Sequence, residues 1–311
     1  MTQDSPFLND VFNWPADTIT SYRTTSDGIR LRTCKWVANK PSGTVFIMPG
    51  RADYIEKYGG FADVCLTQNM NVLAVDWRGQ GLSDRLLNDR NIGHIENFND
   101  YQKDVEALID EAKASNFAKP WIISAHSMGG LIGLRSLHET NVFDKVIFIS
   151  PMWGIEMPTI LKSGAPIIMS LISLIGKMET YAPTTSSETR VIHEEFEVNK
   201  LTSDMQNFKL LRQQVMTYPE LQIGGPSSAW VSAALDEIEI QMKYRPPSIP
   251  ALCLLGEEEE IVETSAVKNF CNDWEACNLI LMPKAKHDLL MEQKTILADL
   301  VFELEKFVKN K

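Results

Sequence analysis

Ser127 is the first candidate for a nucleophile, because it stands in a run of small residues between an apolar segment and a predicted helix. The run reads AHSMGG at 125–130 and follows WIIS at 121–124. The pattern Gly-x-Ser-x-Gly places a serine on a sharp turn between a strand and a helix, where its hydroxyl is exposed. Here alanine replaces the first glycine. The alternative is a serine that merely caps a helix, so the prediction of a nucleophile requires a base elsewhere in the chain.

His287 is the best candidate for the base that a serine hydroxyl needs. The chain has five histidines. His126 is adjacent to the serine, and we predict that it points away from it. Three others lie in a loop, at a helix end and in an inserted segment: His94, His138 and His193. His287 follows the last predicted strand, NLILMP at 278–283, in a loop at the carboxyl edge of the sheet. This edge is also where we expect Ser127, so elimination favours this pair.

The acid that orients the imidazole is predicted among the glutamates at 257–260. They follow the predicted strand ALCLLG at 251–256 and lie between the serine and the histidine, as this chain order requires. Four glutamates in a row are usually a solvated charge run. Their position at the end of a strand predicts at least one carboxylate that points inward, and the residues alone do not choose among them.

An oxyanion hole needs N–H donors held in place. One donor is expected to be the amide of Met128, directly after the serine. The other should come from the loop after the third predicted strand, where PGRADY at 49–54 presents the amide of Arg51. The alternative for this stretch is an ordinary Pro-Gly turn.

The elements that must position these groups alternate between strands and helices. A hairpin at 18–37 is followed by apolar runs that predict six further strands. Those six runs are 44–50, 71–76, 121–126, 145–150, 251–256 and 278–283. Continuous apolar strands indicate a mostly parallel sheet with helices on both faces. The fold class is therefore α/β, with a mostly parallel eight-stranded sheet.

The alternation breaks after residue 152 and resumes in the second part of the chain. We predict a core at 1–152, a helical cap at 153–232 and the second part of the core at 233–311. The segment 159–178 is rich in Ile, Leu and Met. Two interpretations stay open for it: packing within the cap, or lining of the pocket beside Ser127 to hold an acyl chain.

Composition and sequence pattern argue against several classes of protein: nucleic-acid-binding, metal-binding, secreted and membrane-spanning proteins. The formal net charge of −11 disfavours binding to nucleic acid and strong attraction to anionic lipid. The five cysteines are scattered without the spacing of a metal site. The first residues lack the pattern of a signal peptide, and the longest apolar stretch, 165–176, is too short to span a bilayer. We expect a cytoplasmic protein with no metal, no cofactor and no transmembrane segment.

With these motifs in place, the chain resembles the α/β-hydrolases, in particular the bacterial lysophospholipase and monoacylglycerol lipase group. The likeness rests on MPGRADYIEKY (48–58), VDWRGQGLSDR (75–85), GHIENFNDY (93–101), AHSMGG (125–130), SPMWGI (150–155), GEEEEIV (256–262) and AKHDLL (285–290). NKLTSD (199–204) and GGPSSAW (224–230) resemble that group's cap.

The resemblance implies a role for each candidate residue. Ser127 would be the nucleophile, His287 the base, and the amides of Arg51 and Met128 the oxyanion hole. Glu259 falls where the group usually has aspartate, three residues past the strand-ending glycine. Glu258 and Glu260 remain alternatives for the acid.

The expected activity is hydrolysis of carboxylic esters of single-chain lipids, such as lysophospholipids or monoacylglycerols, through an acyl-enzyme. One alternative is a general carboxylesterase, or another α/β-hydrolase, acting on a soluble small ester. Another is a catalytically inactive hydrolase fold that serves as a binding module. Transient contact with membrane lipid is compatible with the expected substrate, and the sequence leaves the oligomeric state open.

Overall fold

The computed structural model describes residues 3–12, 14 and 17–309, and these build one nine-stranded sheet. The eight predicted strands are all present, and the two-residue strand β1 (Gln3–Asp4) adds a ninth at one edge of the sheet. The other strands are β2 (Ile19–Thr24), β3 (Arg30–Trp36), β4 (Gly43–Met48), β5 (Met70–Val75), β6 (Trp121–His126), β7 (Lys145–Ile149), β8 (Ala251–Gly256) and β9 (Cys277–Met282).

The strand order brings the candidate residues to one edge of the sheet. The order is β1-β2-β3-β5-β4-β6-β7-β8-β9. The first three pairs, β1–β2, β2–β3 and β3–β5, are antiparallel. The remaining pairs, from β5–β4 to β8–β9, are parallel. The register pairs Met48 with Ala125 and Gly256 with Met282. Because parallel strands end at the same edge, the loops after β4, β6, β8 and β9 meet there.

Helices cover both faces of the sheet, as predicted. They are α1 (Gly59–Thr67), α2 (Tyr101–Ala114), α3 (Met128–Glu139), α4 (Thr159–Leu174), α5 (Arg190–His193), α6 (Met205–Thr217), α7 (Ser228–Gln241), α8 (Thr264–Asn272) and α9 (Lys294–Lys309). Buried residues of α2, α3 and α8 pack on one face with Phe46 and Met48. Residues of α1 and α9 pack on the other with Val45 and Ile47. Successive residues of β4 thus point to opposite faces, which explains why the residues from Val45 to Met48 are all apolar.

Four helices, α4 to α7, lie between β7 and β8, where the sequence predicts a cap. The predicted boundary at residue 232 falls inside α7, and Ala233 and Ala234 of that helix pack into the core on the α2 and α3 face. The division into core and cap therefore stays a prediction. Among the described residues, no helix is both long and apolar enough to cross a membrane.

Candidate active site

Ser127 lies on a strained turn between β6 and α3. Its backbone angles are φ 50° and ψ −116°, a conformation that costs a non-glycine residue about 1–3 kcal/mol. The turn leaves no room for a side chain at the two glycines that follow Ser127. A Cβ on Gly129 would lie 2.0 Å from the Met48 carbonyl oxygen, and one on Gly130 would lie 2.6 Å from Pro151. The two glycines thus allow the turn to pack closely against the end of β4 and against Pro151, which follows β7.

His287 and Glu259 form a continuous hydrogen-bonded chain with Ser127. The hydroxyl of Ser127 lies 3.0 Å from His287 Nε2, and His287 Nδ1 lies 2.8 Å from Glu259 Oε2. All three residues are buried, with exposures of 8, 4 and 8%. In this geometry the Nδ1–H donates to the carboxylate, which leaves Nε2 free to accept the serine proton.

Of the glutamates at 257–260, Glu259 is the buried one, and Glu258 and Glu260 are exposed. Glu259 Oε1 accepts hydrogen bonds from the amides of Ile261 at 2.6 Å and Val262 at 3.1 Å. Burial by itself would raise the pKa of Glu259. The charge of His287 and the hydrogen bonds from His287 and the two amides outweigh burial and lower that pKa below its ordinary value. The carboxylate is therefore ionised at neutral pH.

The loop that carries His287 is held by residues of the predicted cap. The amide of Asp288 donates to the Leu201 carbonyl at 2.8 Å, and the amide of His287 to that of Lys200 at 3.4 Å. Lys286 Nζ donates to the Asn199 carbonyl at 2.7 Å. The segment NKLTSD, which the sequence predicts to belong to the cap, is thus hydrogen-bonded to the loop beside Ser127.

The two amides predicted as an oxyanion hole lie on adjoining turns. The neighbouring amides are used internally: Gly50 donates to Asp53 Oδ2 at 2.8 Å and Ala52 to Gln80 Oε1 at 2.5 Å. Within the described part of the chain, the amides of Arg51 and Met128 donate to no protein acceptor. Both remain available to an oxygen bound between the two turns.

A buried charge cluster behind Ser127 was not predicted from the sequence. Lys57 Nζ lies 2.6 Å from Asp53 and 2.5 Å from Asp288, so it links the Arg51 loop to the His287 loop. Burial by itself would lower the pKa of Lys57, but the charges of Asp288 and Asp53 raise it above its ordinary value. The ammonium of Lys57 is thus shared between two buried carboxylates, which stabilises its charge in the interior.

The position predicted for His126 is wrong. Its ring lies 5.0 Å from that of His287 and lines the same pocket, instead of pointing away. Its Nδ1 lies 3.1 Å from Asp53 Oδ2, which also accepts from the Tyr58 hydroxyl at 2.6 Å. His126 is therefore part of the buried charge cluster, and His287 remains the histidine that is hydrogen-bonded to Ser127.

Ser127 opens into a pocket of about 800 Å³, within the range of small-molecule sites. We call it the Ser127 pocket. Its walls carry Ser127, His287, Arg51 and His126, together with apolar side chains from core and predicted cap. These apolar residues include Ile155, Leu211, Val215, Leu221, Ile223 and Val262.

The apolar segment 159–178 does not contribute its described side chains to this pocket. Ile167, Leu171 and Leu174 on α4 are instead 66, 59 and 83% exposed. The side chains at 159–163, 165 and 166 lie outside the described residues. Because these three side chains are exposed, they neither pack within the predicted cap nor line the pocket, so neither interpretation of the segment accounts for them.

Comparison with known proteins identifies relatives of this chain. The family model Hydrolase_4, described as "Serine aminopeptidase, S33", matches residues 39–294. Lysophospholipase L2 of Escherichia coli (strain K12) is 29% identical over 279 residues, which are 86% of this chain and 80% of that protein. Probable lysophospholipase L2 of Haemophilus influenzae is 26% identical over 266 residues, covering 85% and 83%. A soluble variant of monoglyceride lipase from Saccharomyces cerevisiae, solved with a substrate analog, superposes with a TM-score of 0.75 at 18% identity, covering 98% of each chain.

Proposed function

The chain belongs to the serine aminopeptidase S33 family of α/β-hydrolases, and from this premise we propose that it hydrolyses carboxylic esters of single-chain lipids, lysophospholipids or monoacylglycerols, with Ser127 as the nucleophile. The observation that carries the proposal is the hydrogen-bonded chain from Ser127 through His287 to Glu259 at the wall of a largely apolar pocket. The named activities of the lysophospholipase L2 relatives support the choice of lipid esters.

The acylation step follows from the positions of the side-chain atoms. Ser127 Oγ attacks the ester carbonyl carbon while its proton passes to His287 Nε2. Glu259 stabilises the imidazolium that forms. The amides of Arg51 and Met128 donate to the oxyanion of the tetrahedral intermediate. His287 then gives the proton to the departing alcohol oxygen, the carbon–oxygen bond breaks, and the acyl group remains on Ser127.

Deacylation repeats these steps with water. His287 takes a proton from the water as its oxygen attacks the acyl carbonyl, and returns that proton to Ser127 Oγ as the acid leaves. The enzyme recovers its starting state, and the products are a fatty acid and an alcohol. No step calls for a metal or a cofactor.

The apolar walls of the Ser127 pocket support a fatty acyl chain as the part of the substrate that supplies binding energy. Leu211 and Val215 of α6 and Leu221 and Ile223 beyond it are buried, yet they border the pocket. Each methylene that moves from water into such surroundings is worth about 0.8 kcal/mol. We therefore expect kcat/KM to rise with acyl chain length, by about fourfold per methylene until the pocket is full.

A substrate panel tests this proposal. Hydrolysis rates would be measured for p-nitrophenyl esters from acetyl to palmitoyl, and for a lysophosphatidylcholine and a monoacylglycerol with the same acyl chain. A rise in kcat/KM with chain length together with cleavage of either lipid is the expected result. Equal or better rates for the shortest esters, with both lipids inert, would replace the proposal with a carboxylesterase of small soluble esters.

We also expect kcat/KM to fall as the pH is lowered, because only the neutral imidazole of His287 can accept the serine proton. Glu259 should remain ionised at mildly acidic pH. The pKa of Glu259 is lower in the folded protein than its ordinary value. The ionised carboxylate therefore stabilises the fold fully above the ordinary carboxyl range, near pH 4–5. This stabilisation is lost only as the pH falls through the lowered pKa. Activity should therefore fall before the fold is lost.

This pH dependence would be measured with a short p-nitrophenyl ester, while circular dichroism follows folding in the same buffers. A rate that stays constant until the protein unfolds would contradict the role of His287. A two-proton slope would show that a second group titrates with it.

A further inference from the structure

Arg51 places a positive charge in the wall of the Ser127 pocket, one residue after the Pro-Gly turn. Its side chain occupies a niche beside two glycines. A Cβ on Gly93 would lie 3.1 Å from Arg51 Nη2, and the Gly224 carbonyl accepts from the same nitrogen at 2.5 Å. The guanidinium carbon lies 5.4 Å from the ring centroid of Trp230. The niche therefore holds the guanidinium in one place at the pocket wall.

The charge of Arg51 has no counter-ion among the described residues. The two buried arginines in the described part of the chain have counter-ions: Arg32 lies 2.7 Å from both Glu56 and Asp76, and Arg78 lies 2.8 Å from Asp27 and 2.7 Å from Asp104. Among the residues that the structure describes, four carboxylates line the same pocket: Asp53 and Asp288 share Lys57, Glu194 is paired with Arg190, and Glu188 is exposed. Arg32 and Arg78 are thus neutralised by carboxylates, whereas Arg51 in the pocket wall, like Arg85 away from it, has no anion within ion-pair distance among the described residues.

Most of the hydrogen-bonding capacity of Arg51 is also unused. A guanidinium has five N–H donors, and the Gly224 carbonyl takes one of them. Nε is buried without a partner among the described residues. Burial lowers the pKa of Arg51 to about 10, so the group is still positively charged at neutral pH. A partly desolvated cation with free donors attracts an anion strongly.

Resting on the proposed function, we propose that the Arg51 side chain binds the phosphate of a lysophospholipid headgroup, which makes this phosphate-bearing lipid, and not the neutral monoacylglycerol, the preferred substrate. The planar fork of arginine matches phosphate oxygens with two parallel hydrogen bonds. The backbone amide of Arg51 faces the ester oxyanion in the same proposal. One residue therefore spans the ester and the phosphate, which the glycerol unit of a lysophospholipid holds a few bonds apart.

The test compares two substrates in each variant. For the wild type and Arg51→Gln, kcat/KM would be measured for a lysophosphatidylglycerol and a monoacylglycerol with the same acyl chain. Because a charge-assisted hydrogen bond is lost with one substrate only, the ratio of the two values should fall about 10- to 100-fold in Arg51→Gln. Arg51→Lys keeps the charge without the fork, and should recover part of the ratio.

Arg85→Gln is the matched control. Arg85, like Arg51, is a half-buried arginine without a carboxylate partner among the described residues. It also ties the core to the predicted cap, donating to the Gly79 and Glu220 carbonyls at 2.5 and 2.9 Å. It does not line the Ser127 pocket. Loss of this tie should lower thermal stability while the substrate ratio stays as in the wild type. A ratio that falls equally in Arg85→Gln would show that general loosening is the cause, and would overturn the proposal.

Other outcomes separate this inference from the proposed function. Wild-type protein that cleaves monoacylglycerol and leaves lysophospholipid intact would overturn the phosphate contact while the lipid ester hydrolase stands. Equal losses on both substrates in Arg51→Gln would also overturn it. Protein inert toward both lipids and active on short esters would remove the proposed function itself.

Free phosphate is the other source of the same chemistry. Inorganic phosphate would be tested as an inhibitor of p-nitrophenyl butyrate hydrolysis by the wild type and by Arg51→Gln. Weak competitive inhibition that disappears in the variant, together with the fall in the lipid ratio, supports the headgroup contact. Arg51-dependent inhibition with an unchanged lipid ratio would assign the site to a free anion and overturn the headgroup assignment.

Discussion

Ser127→Ala is expected to lower kcat by about 10⁴- to 10⁶-fold, since the substitution removes the atom that attacks the ester and leaves only binding and the oxyanion hole. The fold should be kept, because the lost oxygen makes one hydrogen bond, to His287, at 3.0 Å. Steady-state hydrolysis of a p-nitrophenyl ester and of a lysophospholipid measures the loss, and circular dichroism checks folding. A fluorophosphonate probe should label the wild type at Ser127 and leave the variant unlabelled.

Ser150→Ala is a matched control for this substitution. Ser150 follows β7, the strand beside β6, is fully buried, and has a positive φ of 43° like the φ of 50° at Ser127. Its hydroxyl is buried without a partner among the described residues, so its removal should be nearly neutral. Near-wild-type turnover in folded Ser127→Ala would contradict the mechanism. An unlabelled wild type would favour a binding module.

The sheet could be predicted because its strands carry an unambiguous local signal. The strands β4, β5, β6 and β8 are each buried along their whole length, so each is a mostly apolar run of six residues between loops. The parallel arrangement then follows from the helices between them. The two-residue strand β1 was missed, because so short a segment has no periodicity and its position depends on pairing with β2.

The contact between Ser127 and His287 could be predicted because residues that follow parallel strands meet at the same edge of a sheet. Glu259 needed one more step. The four adjacent glutamates are identical in type and differ only in which side chain points inward. That direction depends on the turn after Gly256, which packs closely against the His287 loop. A Cβ at position 256 would lie 2.3 Å from the Ala285 carbonyl oxygen. The register taken from the resemblance selects the same residue that the structure buries against His287.

Contacts between distant parts of the chain could not be predicted from local patterns. In the buried charge cluster, Asp53 contacts His126, which is 73 positions away, and Lys57 contacts Asp288 in another loop, although the types of these residues alone suggest surface charges. For the same reason, the sequence indicated a use for the Arg51 amide and none for its side chain. The apolar composition of α4 likewise did not indicate that Leu171 and Leu174 would be exposed.

Glu259→Gln is expected to lower kcat by about 10³- to 10⁴-fold although it changes one atom. In the wild type, Oε1 accepts from the amides of Ile261 and Val262 and Oε2 faces His287 Nδ1. In the variant the carbonyl oxygen should stay with the two amides, because an NH₂ group there would oppose two donors. The NH₂ group then donates to Nδ1, which forces the proton of the neutral imidazole onto Nε2. That nitrogen can no longer accept the proton of Ser127.

The neighbouring glutamates provide the controls for this last prediction. Glu258→Gln and Glu260→Gln change exposed carboxylates, and the one ion pair affected, Glu260 with Lys200 at 3.1 Å, is a surface pair worth about 0–1 kcal/mol. Both variants should therefore keep kcat within a few-fold of the wild type in the same ester assay. A large loss in either of them, with Glu259→Gln active and folded, would assign the acid to a different glutamate and leave Ser127 and His287 in their proposed roles. Because all three substitutions remove the same charge from one loop, a difference between them reports the position of the carboxylate and not the net charge.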